Sequence, residues 1–150
     1  MAGSPIGLGL VGCGRMGVIH ARAIAGRVPD ARLVAIADVN VGAARRLAAE
    51  LAIDVVLGSA VEVAERPDVA GVVIAVPSGR HLEVVRQIAA AGRDMLCEKP
   101  LALTVADTRA AIAATARAGV RLQVGLMRRF DAAYRRGFRR LERGEIGRPG

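Results

Sequence analysis

Short apolar runs alternate along this chain with longer segments in which apolar residues recur every three or four positions. The runs Ile6–Val11, Leu33–Ala37, Val55–Leu57, Gly71–Val76, Asp94–Cys97 and Leu122–Val124 are mostly continuous in polarity rather than alternating. Strands buried on both faces read that way. Between them, Met16–Gly26, Gly42–Leu51, Ala60–Glu65, His81–Ala91 and Val105–Ala118 carry the helical period. Ser59 with Glu62, and Thr104 with Asp107, fit the N-cap pattern in which a hydroxyl meets the unpaired amides of a first turn. Gly92 and Gly119 mark two of the stops. Strand–helix repetition of this kind requires right-handed crossovers, so it predicts an α/β fold with a doubly wound parallel sheet and helices on both faces. No internal repeat of 20–50 residues and no low-complexity stretch interrupts the pattern.

The turn after the first strand reads Gly12-Cys13-Gly14-Arg15-Met16-Gly17, a G-x-G-x-x-G. In such a turn Gly12 bends the chain, Gly14 lets backbone approach a pyrophosphate, and Gly17 lets the helix pack close to the strand. The following helix aims its first amides and positive dipole end at the same anion. In a chain with 18 glycines the motif alone also fits a plain structural turn. Asp38 adds context: it ends the second strand, 21 residues after Gly17. A carboxylate there accepts hydrogen bonds from an adenosine ribose and repels a 2′-phosphate, which predicts NAD in preference to NADP. The other reading of Asp38 is a turn or cap residue in Asp38-Val39-Asn40. Arg45 and Arg46 lie downstream and bear on the same choice. A methyltransferase also carries an acidic residue at the end of its second strand; the spacing of the three glycines and the lysine below speak against it.

Of 22 basic residues only one, Lys99, is a lysine. Where a positive charge suffices, this chain uses Arg, so a lone lysine points to a task that Arg cannot perform. An ammonium sheds its proton when tuned by its surroundings, and a guanidinium does not. Lys99 stands in Cys97-Glu98-Lys99-Pro100, just past the C-terminal end of a strand. Open α/β sheets bind ligands at that edge, and Pro100 holds the preceding residue extended. A surviving surface lysine is the competing reading. Glu98 beside it either orients it or faces solvent. Val76-Pro77-Ser78 ends the fourth strand at the same edge and offers an apolar wall to a nicotinamide ring. His81 follows, either touching cofactor or substrate or serving as a capping or surface histidine. His20, on the first helix, reads as structural.

Composition narrows the partners. The chain is 53% hydrophobic and 24% charged, enough to bury a core. Its net charge of +8 is concentrated in the last helical stretch, where Arg128–Arg148 holds eight Arg against three acids. With no aromatics beyond Phe130, Tyr134 and Phe138, this reads as an Arg-rich surface and not as a nucleic-acid interface. No run is long enough to span a membrane, and Met1–Gly14 lacks the basic segment of a signal peptide. Cys13 and Cys97 show neither a disulfide framework nor metal-ligand spacing, so no metal site is expected and a cytoplasmic home is.

With those residues in hand, the chain resembles the glucose–fructose oxidoreductase/inositol dehydrogenase (Gfo/Idh/MocA) family over essentially its whole length. The matching pieces are Gly12–Ala21 (GCGRMGVIHA), Ile36–Asn40 (IADVN), Val76–His81 (VPSGRH), Cys97–Ala102 (CEKPLA) and Val124–Asp131 (VGLMRRFD), the last being most similar to inositol 2-dehydrogenases. The resemblance implies a Rossmann domain over residues 1–124, with 125–150 beginning a substrate and oligomerisation domain. It implies that Lys99 binds the substrate and relays a proton, and that Asp38 holds the ribose. Gly12, Gly14, Arg15, Met16 and Gly17 would hold the pyrophosphate, and Val76, Pro77, His81, Glu98 and Met127 would surround the nicotinamide. The implied reaction moves a hydride from a secondary hydroxyl of a cyclic polyol or sugar to NAD. Family members carry an Asp and a His of a second domain in that site and assemble as homo-oligomers; here neither His20 nor His81 takes that histidine's place. A dinucleotide-binding module without turnover, and a glycoside hydrolase or epimerase that uses NAD, share these motifs.

Phe130, Tyr134, Phe138 and Leu141 recur at helical spacing. A sheet ending near Val124 leaves little for that stripe to cover, so it is expected to pack on a partner surface and to make the chain prone to self-association.

Overall fold

A computed structural model describes residues 4–147; the outermost residues of the two predicted segments, 1–3 and 148–150, lie outside the described residues. The apolar runs form six strands: β1 (Ile6–Val11), β2 (Ala31–Ala37), β3 (Val56–Leu57), β4 (Gly71–Ile74), β5 (Asp94–Cys97) and β6 (Leu122–Val124). All pairings are parallel, in the order β3-β2-β1-β4-β5-β6. The order reverses between β1 and β4, and a ligand crevice opens at such a switch point.

The helices are α1 (Arg15–Arg27), α2 (Val41–Leu51), α3 (Ala60–Glu65), α4 (His81–Ala90), α5 (Val105–Ala118) and α6 (Ala132–Glu142). Two apolar clusters sandwich the sheet. Leu10, Ile36 and Val73 pack with Ala21, Ile24 and Leu47 of α1 and α2. Val11, Val72 and Ile74 pack with Val63, Val85 and Ala111 of α3, α4 and α5 on the other side. Neighbouring strand residues thus serve opposite cores, which explains their unbroken apolarity. Ser59 and Thr104 cap α3 and α5, accepting from the amides of Glu62 and Asp107 at 3.2 and 3.0 Å.

The bounds of β3, α1, α2 and α4 shift by a single residue at an end, and three other departures have a visible cause. β2 starts two residues early because Ala31 pairs with Ile6. β4 ends at Ile74, not Val76: the Ala75 amide meets the Val11 carbonyl at 2.8 Å, and β1 then turns away at Gly12. Phe130 lies ahead of α6, after a 3₁₀ turn at Met127–Arg129, because Asp131 caps that helix through the amides of Ala133 and Tyr134. No residue of α6 is buried, and Tyr134 and Phe138 stand more than half exposed. No helix among the described residues is long and apolar enough to cross a membrane.

Candidate functional site

The glycine turn opens at the end of β1. Gly12 has φ +100°, and a Cβ there would meet the Ala75 carbonyl oxygen at 2.5 Å and the Val76 nitrogen at 2.8 Å. A Cβ on Gly17 would run into the Gly12 carbonyl oxygen. These two glycines are therefore demanded by the fold itself. Gly14 is different, because nothing lies within 4 Å of the place its Cβ would take. It is also the residue before α1, where no side chain caps the helix. The first amides of α1 thus stay free to donate to an anion, beside a backbone position stripped of side chain.

Asp38 makes the turn contact that one of its sequence readings expected, and a second contact to the glycine turn. Its Oδ1 accepts from the Asn40 amide at 2.7 Å, a turn contact, while Oδ2 accepts from the Cys13 amide at 2.6 Å. The cap of α2 is Asn40, whose side chain accepts from the Ala43 amide at 3.1 Å. A carboxylate has roughly four lone-pair sites, so Asp38 keeps acceptor capacity toward the cavity that it lines.

That cavity, of about 690 Å³, lies at the switch point. Gly12, Gly14, Arg15, Met16 and Asp38 line it, and so do Val76, Pro77, His81, Glu98 and Lys99. Gly17 stands behind the turn, buried under it. Residues 87 positions apart in sequence, from Gly12 to Lys99, thus share one crevice. A dinucleotide fits this set: free helix amides and a bare Gly14 for phosphates, a carboxylate for ribose hydroxyls, and an apolar Val76–Pro77 wall for a flat ring.

Three expectations change. His81 is neither a cap nor a surface residue: it is 1% exposed, with Nδ1 2.7 Å from the Pro100 carbonyl oxygen and Nε2 2.9 Å from that of Val76. It pins together the two loops that form the cavity wall, with both ring nitrogens on backbone carbonyls. Met127 sits half-exposed in the 3₁₀ turn beyond the edge strand β6 and does not line the cavity, since that turn leaves the sheet one strand away from Lys99. Glu98 does not face solvent. It is 7% exposed, and its Oε1 lies 2.7 Å from Nε2 of His20 while Oε2 accepts from the Lys99 amide at 3.1 Å.

His20 is the residue that sequence reasoning missed. The available signal was Glu98 itself, since a carboxylate adjoining a fully buried strand end requires a partner. Lys99 is exposed at the cavity rim.

The two cysteines are free and buried. Burial, with the Asp38 charge in second place, pushes the Cys13 thiol up to about 11. Burial and then the Glu98 charge push Cys97 up to about 12. Both are protonated and inert as nucleophiles near neutral pH. Among the described residues no group of three or more His, Cys, Asp or Glu is placed to hold a metal ion.

Comparison with known proteins agrees with this geometry. The model of a family described as "Oxidoreductase family, NAD-binding Rossmann fold" matches residues 6–126. The scyllo-inositol 2-dehydrogenase (NAD(+)) of Bacillus subtilis is 39% identical over 140 residues, 93% of this chain and 41% of that protein. Inositol 2-dehydrogenase 1 of Saccharopolyspora erythraea is 41% identical over 144 residues, 95% of this chain and 43% of that one. The structure of scyllo-inositol dehydrogenase from Lactobacillus casei with bound NAD(H) and scyllo-inositol superposes with a TM-score of 0.89 at 32% identity, covering 96% of this chain and 43% of the other. The chain spans less than half the length of these relatives.

Proposed function

Because the chain belongs to the oxidoreductase family with the NAD-binding Rossmann fold, we propose that it is the dinucleotide-binding part of an NAD-dependent dehydrogenase. Its substrate is a cyclic polyol or sugar, inositol-like, oxidised at a secondary hydroxyl. The observation that carries this reading is that one crevice holds the bare Gly14 turn, the Asp38 carboxylate and Lys99. Relatives named as inositol dehydrogenases support the substrate class.

In this reading Asp38 accepts from the ribose hydroxyls and repels a 2′-phosphate. Gly12, Gly14, Arg15, Met16 and Gly17 form the pyrophosphate seat, with the α1 amides as donors and Arg15 adding charge. Val76 and Pro77 wall the nicotinamide, and His81 keeps that wall rigid from behind. Bound NAD supplies the hydride acceptor, and the chain supplies position and electrostatics. Lys99 binds the substrate hydroxyl and holds the proton that this oxygen gives up as its carbon is oxidised. Residues 1–124 form the binding unit, and 125–150 lead toward a substrate and assembly unit of a homo-oligomer. The free buried thiols accord with a reducing, cytoplasmic setting.

Calorimetric titration with NADH and NADPH, followed by an assay of inositol oxidation with NAD, tests the proposal. NADH binding well above NADPH binding, with turnover, supports all of it. NADH binding without turnover supports the second reading, a module that holds the dinucleotide without oxidising a polyol. Equal binding of NADPH overturns the assigned role of Asp38.

A further inference from the structure

We propose that His20 and Glu98 are a positioning pair that holds Lys99 in place and ties it to the helix of the phosphate turn. The consequence for turnover rests on the dehydrogenase reading; the geometric claim does not. Glu98 leaves β5 with its own amide donating to the Ile74 carbonyl at 3.0 Å, so its backbone still belongs to the sheet. Lys99 has left the sheet, and its amide donates to Oε2 of the Glu98 side chain at 3.1 Å. The other carboxylate oxygen lies 2.7 Å from Nε2 of His20, on α1. The Glu98 side chain is only 9% exposed, so the carboxylate depends on these partners in place of water.

The third wall of this compartment is Gly125. A Cβ there would stand 3.2 Å from Oε1, 3.4 Å from Cδ and 3.5 Å from Oε2 of Glu98. The absence of a side chain gives the carboxylate its room. The Gly125 amide is itself fixed to the Cys97 carbonyl at 2.8 Å. Four elements therefore converge on one carboxylate: α1 through His20, β5 through Glu98, the loop after β5 through the Lys99 amide, and the turn after β6 through Gly125. Helix α1 begins at the glycine turn, five residues before His20. The pair is thus a strut between the place that seats phosphates and the residue that meets the substrate.

The test uses the 150-residue chain, where Lys99 is the single lysine. Its amide exchange is read by NMR, and reductive ¹³C-methylation gives its amine a signal separate from the N-terminus. In Glu98→Ala and His20→Ala, the Lys99 amide is expected to exchange about tenfold faster or more, the effect of losing one charge-assisted hydrogen bond. Its methyl signal is expected to broaden or shift. Glu98→Gln keeps an oxygen for the Lys99 amide and is expected to restore most of the protection, as is His20→Gln with its donor in place.

If the alanine variants unfold, Gly125→Ala, which crowds the carboxylate, is expected to loosen Lys99 in their stead. Unchanged Lys99 exchange in a folded variant overturns the proposal. So does acceleration of every β5 and α5 amide by the same factor, which marks a purely structural role. Failure of the wild-type chain to bind NADH would refute the dehydrogenase reading, while the Lys99 exchange data would still decide this one.

Discussion

The Asp38 carboxylate accepts a hydrogen bond from the Cys13 amide at 2.6 Å, so the acidic residue that ends β2 also fastens the middle of the glycine turn that follows β1. In the proposed reading, ligand specificity and turn geometry therefore hang on one side chain. Asp38→Ala removes two hydrogen bonds to a charged acceptor and is expected to lower stability by about 2 kcal/mol. The same variant is expected to weaken NADH binding by about tenfold or more, the loss of at least one such bond to the ribose. Asp38→Asn keeps the Oδ1 contact to Asn40 and removes the negative charge. Its NADH-to-NADPH preference is expected to narrow by about tenfold, measured by calorimetry on both variants.

The three glycines of the turn separate folding from binding. Gly14→Ala adds a Cβ where no protein atom lies within 4 Å, at an ordinary φ of −70°. Its melting curve is expected to match the parent within about 0.5 kcal/mol, as surface changes usually do, while NADH affinity falls at least about tenfold because the methyl occupies the seat. Gly17→Ala forces a Cβ onto the Gly12 carbonyl and is expected to lose about 3 kcal/mol or more by overpacking. Denaturant melts and NADH titrations of the two variants give opposite patterns if this division is right; a folded Gly14→Ala that binds like the parent contradicts it.

The buried thiols give the fold an alkaline limit. In the native chain Cys13 keeps its proton up to about 11 and Cys97 up to about 12, while both begin from 9.0 in the absence of burial. Between pH 9 and 11 the unfolded chain has therefore lost protons that the native chain retains. Stability falls as pH rises wherever the unfolded state binds fewer protons, so urea midpoints are expected to drop from pH 9 upward for this reason. The double variant Cys13→Ala, Cys97→Ala should show a flatter profile over that range. A thiol reagent at pH 8 is expected to label the native chain slowly and the urea-unfolded chain at once.

The sheet and its crossovers were legible because they rest on local rules. Leu10 and Val11 serve opposite cores, and that leaves a run with no polar gap. Gly12 and Gly17 were legible because a backbone requirement fixes their spacing, and Gly14 and Asp38 because the motif places them relative to that turn. What stayed hidden depends on partners far along the chain. Val76 is apolar and reads as strand, yet β4 stops where its neighbour β1 turns away. Phe130 keeps helical spacing, yet Asp131 after it begins the helix. His81 finds carbonyls 5 and 19 residues away, and His20 finds Glu98 at a separation of 78. A histidine's partner at that distance is set by topology, and topology brings α1 over the end of β5 only after the sheet is assembled.

Lys99 is the last point at which sequence and structure bear on chemistry together. Its exposure at the rim of the crevice leaves it within reach of whatever fills that crevice. Lys99→Arg preserves the charge but forbids a neutral form, since a guanidinium does not deprotonate in proteins. If the residue holds the substrate's proton, NADH binding should survive the change while kcat for polyol oxidation falls by roughly 10²–10⁴, the usual contribution of positioned acid–base catalysis. If it only attracts a negatively polarised oxygen, Arg should retain most of the rate and Lys99→Ala alone should fail. Steady-state kinetics of the two variants beside NADH titrations distinguish these cases, because a lost seat for the dinucleotide would raise the dissociation constant in step with the loss of rate.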